Sequence, residues 1–236
     1  KNCTMKNNTT FKQTEIGMIP SDWEVVKLGN VSEIRTGPFG SSLHEKDYVT
    51  DGTPIITVEH LGEFGIVHKN MPMVSDKDKK RLISYSMQPN DIVFSRVGSV
   101  DRNSMVTESE QGWLFSGRLL RIRIVAKNVS PKYLSFYFQQ ETFKQRIRSV
   151  AVGQTMASLN TQILKGVDVV LPPTLAEQKA IATALNDADA LIQTLEQLIA
   201  KKRNIKTGAM QELLKPKKGW EMKKLGEIGN FKNGIN

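Results

Sequence analysis

Residues 174–214, TLAEQKAIATALNDADALIQTLEQLIAKKRNIKTGAMQELL, constrain this chain more than any other stretch. Pro172 and Pro173 stand before it, Pro216 stands after it, and no proline lies inside, so it reads as one helix. Thr174 with Glu177 three residues on predicts a capping box that satisfies the first free backbone donors. Apolar residues recur in steps of three and four at Ile181, Leu185, Ala188, Ile192, Leu195 and Ile199, then at Ile205, Ala209 and Leu213. That is an a/d seam of about five heptads. At 1.5 Å per residue the rod spans roughly 60 Å, more than a domain of this size needs for its own core. We therefore expect Ile181, Leu185, Ile192, Leu195, Ile199, Ile205 and Leu213 to form a dimerisation seam whose partner comes from outside the domain. A helix lying along its own domain is the alternative.

The whole chain has 236 residues, room for one packed domain of about 170 residues plus the rod. No apolar run approaches the roughly 18 residues of a membrane span, so no membrane partner is expected. The first residues, KNCTMKNNTTFKQTEIG, are polar, unlike a signal peptide, and residues 1–15 read as a disordered tail. A single cysteine, Cys3, excludes a disulfide framework and suits a reducing, cytoplasmic setting. The net charge of +9 is unevenly placed. Residues 1–173 hold 22 Lys and Arg against 17 Asp and Glu, the helix holds five of each, and residues 215–236 hold six against two. The excess on the globular part and tail favours a polyanionic partner.

Within residues 16–173 the pattern is a mixed one. Trp23, Val25 and Val26 with Leu28, Val31 and Ile34 predict a short strand and a turn that buries an aromatic ring. TPIITV (53–58) and DIVFSRV (91–97) read as strands, HLGEFGIVHKN as a hairpin, and residues 71–82 as a turn plus short helix. Leu120, Ile122 and Ile124 alternate with Arg121 and Arg123, predicting a half-buried strand with its arginines on the open face. Ser130-Pro131 is a helix start, and its helix runs through Tyr133, Tyr137, Phe138, Phe143 and Ile147. A short helix stopped by Gly166 and a last strand, VDVVL, lead into the rod. Strands and helices without a regular βαβ rhythm give an α+β class: a globular mixed domain followed by a long coiled-coil-forming helix.

Two loops offer DNA-facing groups. TGPFGSS cannot be regular structure, and Arg35, Thr36, Phe39, Ser41, Ser42 and His44 in or beside it can meet phosphates or bases. Arg96, Arg102 and Asn103 flank a strand end, with arginine suited to guanine or phosphate and asparagine to adenine. Other chemistry is missing. There is no Walker or dinucleotide loop, and His44, His60 and His68 lack close ligand spacing, so no metal is expected. LPPT is similar to the catalytic turn of amino-methyltransferases, but Leu171 stands where an Asn or Asp acceptor is needed. The chain is expected to catalyse nothing by itself.

The tail repeats the start. Trp23-Glu24-Val25-Val26-Lys27-Leu28-Gly29 is matched 197 positions later by Trp220-Glu221-Met222-Lys223-Lys224-Leu225-Gly226. Residues 215–236 thus read as the start of a second copy of the domain.

Taken together, IPSDWEVVKLGNVSEIRTGPFGSSL, NDIVFSRVGSV, LPPTLAEQKAI at the domain-to-helix junction and the restart at GWEMKKLGEIG resemble the specificity (S) subunits of Type I restriction-modification enzymes. The resemblance implies a target-recognition domain over residues 16–173, a spacer and dimerisation helix over 174–214, and a half-length form of the subunit. It also implies double-stranded DNA, modification (M) subunits and restriction (R) subunits as partners, with S-adenosylmethionine bound by the M subunit and no cofactor on this chain. A homodimer through residues 174–214 follows if the seam is to leave water. The competing reading is a coiled-coil interaction protein whose basic domain binds protein or RNA.

Overall fold

The strand through Leu119–Ile124 is the spine of the globular part. In chain order the elements are β1 (Phe11–Thr14), β2 (Gly17–Pro20), β3 (Glu24–Lys27), α1 (Leu28–Val31), β4 (Ser32–Thr36), β5 (Tyr48–Val49), β6 (Thr53–Ile56), β7 (Met73–Val74), α2 (Asp76–Arg81), β8 (Ile92–Ser95), β9 (Asn103–Met105), β10 (Leu114–Phe115) and β11 (Leu119–Ile124). They continue as α3 (Pro131–Gln139), α4 (Glu141–Val150), α5 (Thr161–Lys165), β12 (Asp168–Leu171), α6 (Leu175–Leu213) and α7 (Leu225–Ile228). The computed structural model describes residues 10–38, 43, 47–63, 65–151, 157–232 and 234. It contains two compact units, residues 1–187 and residues 188–236.

In the first unit β11 lies between β4 and β8, with β9 outside, in a fully antiparallel sheet. A second sheet has the order β10-β6-β7-β5, with β6 and β10 parallel. Small sheets β1-β2 and β12-β3 complete the set, giving an α+β fold. One face of the spine, Ile34, Ile92, Phe94, Leu120 and Ile122, packs with Leu134, Phe138 and Phe143 of α3 and α4 in the main core. Phe94 meets Phe138 edge-on at 5.1 Å between centroids, and Phe138 meets Phe143 at 4.8 Å. Ser130 caps α3 through Tyr133 N–H, as its hydroxyl chemistry predicts. The helix then breaks at Gln140, whose backbone is extended, and α4 starts afresh; one continuous helix was expected there.

The arginine face corrects the expectation most clearly. Arg121 is 2% exposed and its Nη2 donates to Glu33 Oε1 at 2.9 Å. Arg123 grips Asp91 with Nε and Nη2, both at 2.7 Å. The connection through Tyr85 and Ser86 lies over this face, for Arg123 also donates to Ser86 O and Arg35 stacks on the Tyr85 ring at 4.6 Å. Burial, with the charge of Arg123 close by, holds the Arg121 guanidinium below its ordinary pKa, while the Asp91 hydrogen bonds raise that of Arg123. The predicted disordered tail is also corrected: residues 11–14 pair with residues 17–20 in a hairpin, turned by Gly17 at φ +112°. Residues 1–9 lie outside the described residues.

The root of α6 belongs to the first unit. Gln178, 2% exposed, accepts Ser130 N–H at 2.8 Å and donates to Asn128 O and Pro172 O at 3.2 and 3.0 Å. Thr174 Oγ1 accepts Glu177 N–H at 3.1 Å, and the Glu177 carboxylate takes the Trp23 indole N–H at 3.2 Å. Ile181 still packs against the core, but from Leu185 onward the seam is exposed: Ile192, Leu195, Ile199, Ile205 and Leu213 all face solvent in the single chain. Among the described residues no helix is long and apolar enough to cross a membrane.

Two stability outcomes follow. Arg123→Ala strands a carboxylate that is 1% exposed, so the urea midpoint should fall by an amount equivalent to about 3 kcal/mol. Gln178→Ala should cost about 2 kcal/mol in the same assay, because a buried N–H and two carbonyls lose their partners.

Candidate nucleic-acid interface

Four strands direct their carboxyl ends at one place. Pro38 follows β4, Thr57 follows β6, Arg96 follows β8 and Ser116 follows β10, and all four residues line a single cleft of about 670 Å³. The backbone explains the convergence. Arg96 N–H donates to Arg118 O at 2.8 Å, Ser116 N–H to Ile56 O at 2.9 Å, and Gly37 N–H to Leu119 O at 3.1 Å. The approach of the first loop is so close that a Cβ built on Gly37 would sit 2.1 Å from Ser116 O. A side chain cannot fit, which is why glycine follows the strand.

One wall is held by a histidine. His60 is buried, and its Nδ1 accepts Thr57 N–H at 3.0 Å. Nε2 must then carry the proton, and it donates to Lys69 O at 3.1 Å, tying the turn after β6 to the strand of backbone that returns past Asn70. The opposite wall is braced by Leu159 N–H donating to Arg96 O at 2.8 Å and Gly98 N–H donating to Ala157 O at 2.9 Å. The Arg96 guanidinium reaches Gly117 O at 3.3 Å across the cleft floor.

The expected contact residues separate into groups. Arg96 lines the cleft, whereas Thr36, the last residue of β4, is not among the residues that line it. Arg35 is turned away, donating to Ser84 O at 2.8 Å while it stacks on Tyr85. Arg102 is bound to Leu61 O, where it holds the hairpin closed by the Leu61 and Ile66 bridge. Asn103 is a correction: it is 3% exposed, donates to Phe138 O at 3.3 Å and accepts from Gln139 Nε2 at 3.1 Å, so its amide is used inside the fold and cannot read a base. Phe39, Ser41, Ser42 and His44 lie outside the described residues. Sequence reasoning passed over Glu59, Ser116 and Arg118, which line the same cleft. Their one local signal is Ser116-Gly117-Arg118, a polar turn set directly before the alternating strand.

A basic α+β domain with a strand-end cleft, rooted on one long helix, can now be set beside known proteins. The family described as Type I restriction modification DNA specificity domain matches residues 20–202. The chain is 33% identical over 229 residues to the inferred MjaX type I restriction enzyme specificity subunit of Methanocaldococcus jannaschii, covering 92% of this chain and 52% of that protein. It is 27% identical over 258 residues to the MjaIX specificity subunit of the same organism, covering 97% and 56%. Among solved structures, the S subunit of a Type I restriction-modification system from M. genitalium superposes with a TM-score of 0.58 at 16% identity, over 89% of this chain and 47% of that one. A chain from the assembly of a type I R-M system gives 0.60 at 17% identity, over 83% and 45%. At such identities these likenesses concern the fold. The chain belongs to the Type I restriction modification DNA specificity domain family, and it spans about half the length of the curated relatives it matches.

Gly37→Ala tests the cleft's construction. The added methyl must push the Ser116 carbonyl aside, so the variant should lose about 1–3 kcal/mol of stability in chemical denaturation. A variant as stable as the parent would show that the floor can shift.

Proposed function

We propose that this chain reads one half of a bipartite duplex DNA site and presents the bound duplex to modification subunits docked along its long helix. Those subunits carry S-adenosylmethionine and methylate adenine, and restriction subunits join the same assembly. The chain itself performs no chemistry in this reading. The observation that carries it is the cleft, where the ends of four strands of a basic domain hold Arg96 and Arg118 at a concave surface. Guanidinium groups held on rigid strand ends suit guanine edges and phosphates. Residues 16–173 act as the recognition domain, 174–214 as spacer and pairing helix, and 215–236 as the opening of a second recognition repeat.

The seam supports pairing of two copies. Leu195 is 48% exposed and Ile205 55%, and such residues in an a/d register are stabilised by a second helix at about 25 cal/mol per Å² of apolar surface removed from water. A two-fold pair would read a split palindrome.

Two experiments test this. Light scattering of the purified chain should give about 53 kDa, twice the 26.5 kDa chain, and Leu195→Lys with Ile199→Lys should return it to a single chain. A mass of one chain at every concentration overturns the pairing. Co-expression with modification subunits, followed by sequencing of methylated plasmid libraries, should return one bipartite adenine motif, and Arg96→Ala should weaken binding to it by about 1–3 kcal/mol. Methylation without any motif would reject the DNA-reading assignment.

A further inference from the structure

Among the described residues, three polar groups in the cleft stand without partners. The Ser116 hydroxyl is buried at its oxygen and makes no hydrogen bond among the described residues. Glu59 and Arg118 are both exposed on the cleft walls, and among the described residues neither side chain makes a hydrogen bond or an ion pair, not even with the other. This differs from the rest of the domain, where Arg121, Arg123, Arg146 and Arg148 are each engaged by a carboxylate, a carbonyl or a tyrosine hydroxyl. A cleft that exposes a carboxylate as well as a guanidinium is poorly suited to phosphate alone, which the carboxylate repels. It suits a ligand that offers both a donor and an acceptor.

We infer that this cleft reads a G·C base pair, with Arg118 donating to guanine O6 and N7 and Glu59 accepting from the cytosine N4 amino group. The major-groove edge of G·C presents two acceptors on guanine and one donor on cytosine, so a guanidinium and a carboxylate match it where A·T would leave the carboxylate facing the thymine O4 acceptor or the guanidinium facing the adenine amino group. The inference rests on the DNA-reading function proposed above and names residues and a base pair for it.

The test uses the methyltransferase assembled from this chain and its modification subunits, acting on a plasmid library with randomised sites, with methylated adenines read by sequencing. Wild type should show a motif with an invariant G·C pair. Arg118→Ala and Glu59→Gln should relax the same base pair, once in each half of the two-fold motif, with discrimination there falling roughly 10- to 100-fold and every other position retained. Arg118→Lys should fall between, since a point charge cannot make the bidentate contact. Both residues are exposed, so unchanged melting midpoints will confirm that the variants fold. Variants that keep the wild-type motif unaltered overturn the inference and leave the DNA-reading function standing. So does a uniform loss of affinity across all sequences with a salt slope reduced by about one, which assigns Arg118 to phosphate. If wild type itself methylates no defined motif, the function and this inference fall together.

Discussion

The buried amide of Gln178 is the contact on which the junction depends. It is a helical residue, yet all of its side-chain hydrogen bonds leave the helix: to Ser130 N–H at the start of α3, to Asn128 O before it and to Pro172 O in the preceding turn. One side chain therefore ties the segment holding Asn128 and Ser130 to the turn at Pro172, with 48 residues separating Ser130 from Gln178. An amide carries both a donor and an acceptor, and only that combination satisfies an N–H and two carbonyls from the same point. Trp23 adds a second tie by donating to Glu177 and stacking edge-on against Tyr133 at 6.4 Å. The first turns of α6 are thus part of the recognition domain's interior, and the remainder of the helix leaves with an apolar stripe uncovered.

Charge is distributed by the same logic. The domain's arginines divide into those held inside it and those presented outward, and composition alone gives no sign of the division. Arg121 and Arg123 stiffen the central sheet because Glu33, from the exposed side, and the buried Asp91 hold their guanidinium groups in place. Fixing those cations internally leaves the rim of the cleft to carry whatever recognition requires. A net excess of positive charge is therefore a poor guide to a binding surface until internal pairs have been subtracted.

What was legible in the sequence is what local chemistry decides. Ser130 caps its helix through its hydroxyl oxygen, Gly166 ends α5, and Thr174 opens α6, each recognisable from side-chain type and spacing. The long helix could be bounded from its prolines and its heptads. What could not be read depends on partners remote in the chain. The two strand arginines looked solvated because Glu33 lies 88 residues from Arg121 and Asp91 lies 32 from Arg123. Asn103 looked like an adenine reader because nothing near it in sequence reveals that Phe138 and Gln139 fold over it. The break at Gln140 contains neither proline nor glycine. Glu59, Ser116 and Arg118 became visible only when four strand ends were seen to meet.

The pairing of β3 with β12 has a kinetic consequence. Val26 opposes Val169 and Val25 opposes Val170, so the first inner strand of the domain finds its partner only after nearly all of the rest has been made. Contacts of such long sequence separation come at a high loop-closure entropy and are slow to form. Until residues 168–171 emerge during synthesis, β3 has an unpaired edge and Trp23 has no Glu177 to bind. The last strand to arrive completes the sheet and sets the helix root in one step, so closing the domain and extending the rod are coupled stages of a single folding event. The same closure brings the domain's two ends side by side, an arrangement under which a chain can be cut and rejoined at a new position without disturbing its interior.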